Sequence, residues 1–149
     1  MKTAFAAFTL MLLAAAIAAP RAAQADGAAH YLAIHVDEND PQKMNIALNN
    51  ARNVASYYRE KGETVEIEIV AYGPGLHMYR ADTSPVKDRI AAMSLENPQL
   101  KFSACGNTMA GMSKKEGKEI ALISEAREVP SGVVRLMELQ EQGWTYVRP

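Results

Sequence analysis

The chain has 149 residues, with 16 Lys and Arg against 17 Asp and Glu and a formal net charge of -1. No basic block breaks that balance, so composition gives nucleic-acid binding little support. Cys105 is the single cysteine, which rules out an intrachain disulfide; in an oxidising compartment such a thiol is buried, paired with another molecule, or used.

Lys2 supplies a positive start, Ala4 to Ala19 is apolar apart from Thr9, and Ala23-Gln24-Ala25 is a small-x-small cleavage signal. Residues 1–25 are therefore expected to be a secretory signal peptide, with a periplasmic or otherwise exported product. The mature chain, residues 26–149, is about 124 residues long and suits one domain with its own core. No later apolar segment is long enough to span a membrane.

His30 to Val36 is a nearly continuous apolar run, as in a parallel strand buried on both faces. Asp40 is placed to cap the next helix, with Pro41 at its first position. Met44, Ala47, Leu48, Ala51, Val54, Ala55 and Tyr58 follow at helical spacing until Lys61-Gly62. Val65 to Tyr72 reads as a second strand, its early alternation leaving Glu66 and Glu68 on a solvated or oligomer-facing side. Gly73 to Thr83 reads as a loop rich in helix breakers.

Ser84 and Pro85 open another helix with Val86, Ile90 and Met93 as its inner stripe, closed by Asn97-Pro98. Leu100, Phe102 and Ala104 alternate with Lys101, Ser103 and Cys105 in the period of a third strand. Gly106-Asn107-Thr108 breaks that period, and Met109 to Lys115 reads as a short helix. Ile120 to Ile123 is a weaker fourth strand. Pro130-Ser131-Gly132 starts a largely buried last helix through Val133, Val134, Leu136, Met137 and Leu139, and Trp144 to Val147 is a final strand. Strands alternating with helices predict a three-layer α/β/α domain on a mainly parallel, five-stranded sheet.

Ligands of such sheets bind beyond the carboxyl ends of the strands. That rim gathers Asp37-Glu38-Asn39, the segment Tyr72 to Thr83, and Cys105-Gly106-Asn107. A thiol where a strand meets a helix feels the positive end of the helix dipole and free N–H groups, both of which favour thiolate; the other reading of Cys105 is a small buried hydrophobe. His77 is a base or cation beside Cys105, a metal ligand with Met78 and Cys105, or an ordinary surface histidine. Arg80 holds an anion or pairs with Asp82. Asp37 and Glu38 are paired carboxylates or solvated loop acids, and His35, inside a strand, reads as a core histidine. Gly73-Pro74-Gly75 is neither a Walker loop nor a dinucleotide fingerprint, and Met109 and Met112 read as core. No cofactor and no metal centre is expected.

His35-Val36-Asp37-Glu38, Met44 to Asn50, Val70 to Gly75 and Phe102 to Met109 together resemble the DsrE/DsrF-like family, which includes the YchN-like proteins. The resemblance covers essentially the whole mature chain. It implies a five-stranded parallel sheet, assembly as homo-trimers or homo-hexamers, and a rim cysteine carrying sulfur as a persulfide. Cys105 matches that cysteine in placement. The signal peptide departs from the cytoplasmic relay members, which work with dedicated partner subunits. The expected function is an exported, sulfurtransferase-like sulfur carrier that takes sulfane sulfur on Cys105 from a donor protein or passes it to an acceptor. His77 would assist, and Asn107, Gly106, Arg80 and Asp37 would line the substrate. The alternatives are a module binding a small ligand or a soft metal such as copper(I) at the same rim, and a structural oligomer with an inert cysteine.

Overall fold

The computed structural model describes residues 29–149; the expected signal peptide lies outside the described residues. Five strands alternate with four α-helices: β1 (Ala29–Val36), α1 (Pro41–Glu60), β2 (Thr64–Ala71), α2 (Lys87–Glu96), β3 (Leu100–Cys105), α3 (Gly106–Glu116), β4 (Ala126–Val129), α4 (Gly132–Glu141) and β5 (Thr145–Val147). The sheet runs in the order β4-β3-β2-β1-β5, every pairing parallel, with helices on both faces. Among the described residues no helix is long and apolar enough to cross a membrane.

The two faces differ in chemistry. Ile34, Ile67, Ile69 and Phe102 point to the first face and pack with Met44 and Leu48 of α1 and Ile90 of α2 in one apolar core. Each such side chain, fully buried, contributes about 1.5–3 kcal/mol. On the second face Ala33 and Val70 meet Leu136 and Leu139 of α4. The same face carries His35, Glu68, Ser103 and Cys105, because residues two apart in a strand share a side.

Glu68 is not on a wet face, contrary to the alternation of its strand: α4 covers it completely. Its carboxylate accepts from Ser103 Oγ at 2.6 Å, from Arg135 Nε and Nη2 at 2.8 Å each, and from Arg127 Nη2 at 3.1 Å. Burial alone would raise its pKa. The hydrogen bonds from Arg135 and Ser103, with the two guanidinium charges, outweigh that and hold it below the ordinary value.

Several boundaries move from their expected places. The fourth strand is Ala126–Val129, not Ile120 to Ile123. Ile120 and Ile123 are buried, which gives that run its strand-like look. It lies instead against the segment after β2, with Ala81 N–H donating to Ala121 O and Ile123 N–H to Tyr79 O, both at 2.9 Å. The true β4 is a sheet edge, where Arg127 and Glu128 can reach water. The breaker-rich segment after β2 holds a 3-10 helix, Gly73–Tyr79. α2 starts at Lys87; Ser84 Oγ still accepts from Val86 N–H at 3.3 Å, one turn ahead of it. α3 starts at Gly106, directly after β3. α4 is only half buried, with Val133, Val134 and Met137 exposed by 52%, 48% and 56%.

Candidate functional site

Cys105 is the last residue of β3 and the cap of α3. The parallel crossover from β4 brings the start of α4 to the same point: Gly132 lies against Cys105 and Tyr72. Two helix N-termini therefore meet at one sulfur, each carrying N–H groups with no acceptor in its own helix and the positive end of a dipole. The thiol is 5% exposed, and that burial pushes its pKa up. The Thr108 hydroxyl and the N–H groups of Gly132, Thr108 and Asn107 more than compensate, so the net shift is downward from the ordinary thiol value. Cys105 makes no side-chain capping hydrogen bond to α3. Thr108 is itself oriented, since its Oγ accepts from Gly73 N–H at 2.9 Å, leaving its own hydrogen free to turn to the sulfur.

Tyr72 and His35 complete this side of the rim. Tyr72 follows β2 and is half-buried; continuing the β2–β3 register from Ala71 and Ala104 makes it the cross-strand neighbour of Cys105. Its ring stacks on His35, centroids 4.5 Å apart. His35 is buried, with Nδ1 2.8 Å from Tyr146 Oη and Nε2 without a partner. Burial lowers its pKa; Asp37 opposes that and Arg148 adds to it, and the net shift is downward.

The other expected site residues are placed differently. Asp37 stands 3.9 Å from His35 Nε2 and is clamped by Arg148, through Nε at 3.0 Å and Nη2 at 2.9 Å. Glu38 is 3.5 Å from both Lys43 and Arg148. Gly106 and Asn107 form the first turn of α3, Asn107 giving its N–H also to Pro130 O at 3.3 Å. His77 lies in the 3-10 helix, its Nδ1 3.1 Å from Thr83 Oγ1. Met78 is in the core of the opposite face. Arg80, 2% exposed, forks onto Asp82 and Glu116 with four hydrogen bonds of 2.5–2.9 Å; of its two readings, the ion pair is the one formed. Among the described residues, no group of three or more His, Cys, Asp or Glu is placed to hold a metal.

Thr108, Tyr72 and Gly132 carry the environment of the thiol without having been singled out by sequence. Thr108 and Tyr72 sit inside runs already marked as rim segments. Gly132 carried only a helix-start signal, far along the chain from Cys105.

No protein-family model and no curated protein matches the chain. Among solved structures it is similar to MTH1491 of Methanobacterium thermoautotrophicum, a protein of unknown function. The TM-score is 0.67 and the identity 29%, over 80% of this chain and 99% of that one.

Proposed function

We propose that the protein is a thiol-based sulfur carrier of the DsrE/DsrF-like type, accepting sulfane sulfur on Cys105. The observation that carries this reading is the thiol's position between the first turns of α3 and α4, where N–H groups of Asn107, Thr108 and Gly132 favour its anion. In the loading step the Cys105 thiolate attacks the outer sulfur of a donor R–S–SH. The donor S–S bond breaks, R–S⁻ leaves, and Cys105–S–SH forms with its proton retained. No external oxidant is consumed, and attack by an acceptor thiolate on the outer sulfur reverses the step. The dipoles that stabilise the thiolate would also stabilise the persulfide anion.

Intact mass after a polysulfide pulse tests this. The wild type is expected to gain mass in whole sulfur atoms, removable by reductant, and Cys105→Ser to gain none. The iodoacetamide rate against pH should show a midpoint below the roughly 8.5 of a free thiol. A thiol that takes no sulfur, and that reacts only after unfolding, would overturn the carrier reading.

A further inference from the structure

Tyr72 has two close neighbours, His35 and Gly132. Its ring lies on His35, with planes 25° from parallel and centroids 4.5 Å apart. Against its Cβ and Cδ1 is the bare Cα of Gly132: a Cβ there would stand 2.9 Å from both of these atoms and 3.2 Å from Cβ of Cys105. Side-chain carbons do not sit that close to their neighbours. The start of α4 reaches the thiol because residue 132 has no side chain, and there it packs directly on the Tyr72 side chain. His35 is fixed in turn, with Nδ1 on Tyr146 Oη at 2.8 Å, while Nε2 is buried without a hydrogen bond, Asp37 Oδ2 standing 3.9 Å away. An apolar ring would fill that space without leaving a buried nitrogen idle. What the imidazole supplies is a flat face for Tyr72 and an anchor in β5.

We infer that Tyr72 is the positioning residue for Cys105: stacked on the His35 ring and packed against Gly132, it holds the N-terminus of α4 beside the sulfur. It takes no part in bond making. His35 acts one step further back, by holding the Tyr72 ring. The inference gains its use from the reading of Cys105 as a working thiol, but its test requires no sulfur chemistry.

The test is a titration of thiolate by its ultraviolet absorbance in the full folded protein, each variant measured against the same variant carrying Cys105→Ser. Tyr72→Phe keeps the ring and is expected to titrate with the wild type. Tyr72→Ala and Gly132→Ala are expected to titrate at higher pH. Below both midpoints that leaves about 3–10-fold less thiolate, tenfold corresponding to one pKa unit. His35→Phe, which keeps a stacking face but loses the bond to Tyr146, should move the midpoint less than His35→Ala, which should follow Tyr72→Ala. Thermal melting reports packing separately. If Tyr72→Ala melts lower while its thiol midpoint is unmoved, Tyr72 is only packing and the inference fails; should that variant not fold, Tyr72→Leu is read the same way. A wild type that takes no sulfur, with midpoints that still move in the Tyr72 series, would end the carrier reading and leave the positioning role standing.

Discussion

Glu68 is a carboxylate sealed under a helix, and its worth depends on remaining charged. Two guanidinium groups and a hydroxyl converge on it, so Glu68→Gln leaves Arg135 with a neutral partner beneath α4. Breaking a buried pair from one side costs on the order of 3 kcal/mol. Urea unfolding at pH 7 should show that loss. The pH dependence has a definite sign. The folded pKa lies below the ordinary carboxylate value, so the unfolded chain takes up the proton more readily. The stabilisation is complete above the unfolded value of about 4.3 and drains away as pH falls from there toward the folded value. The stability gap between wild type and Glu68→Gln is therefore expected to narrow on acidification from pH 5 to pH 3. A gap that stays constant would mean that the charge is not what holds α4.

At the scale of elements, the tie between the 3-10 helix and α3 runs through Arg80. Its guanidinium reaches Asp82 just beyond the 3-10 helix and Glu116 at the end of α3. Arg80→Ala is expected to release the segment while the sheet stays closed. Hydrogen exchange should speed up at the amides of Ala81 and Ile123, which bond to Ala121 O and Tyr79 O, and remain slow in β1 and β2. Uniform acceleration through the sheet would contradict a local clamp. The elements that composition revealed are those whose burial is simple. β1, β2 and β3 lie between two layers, so their apolar runs are visible, and α1 carries a continuous stripe and a capping Asp40 that accepts from Gln42 N–H at 2.7 Å. β4 escaped because an edge strand keeps one side wet, while the buried Ile120 and Ile123 gave their run the look of a strand. The thiol at a strand–helix junction was legible from local residues alone. Its second helix was not, because the crossover that delivers Gly132 is a property of the fold.

For the whole molecule, the half-exposed α4 bears on assembly. Val133, Val134 and Met137 face outward beside the start of the helix that touches Cys105. We expect these side chains to be covered in a closed homo-oligomer, a trimer or hexamer, as closed symmetry is the rule for soluble assemblies. Light scattering at micromolar concentration checks the mass, and Met137→Lys should shift it toward monomer; a monomer in the wild type would refute the expectation.

The strand order also has a consequence in time. β1 is made first, yet its outer edge is filled by β5, and the contacts His35–Tyr146 and Asp37–Arg148 each bridge 111 positions. During synthesis β1 can pair with β2 and build the first core while its other side waits. Until residues 145–148 emerge, the imidazole beneath Tyr72 has no anchor and Asp37 has no cation. The thiol's surroundings are thus among the last parts of the protein to mature, and a nascent chain carries Cys105 before it carries the geometry that would make the sulfur reactive.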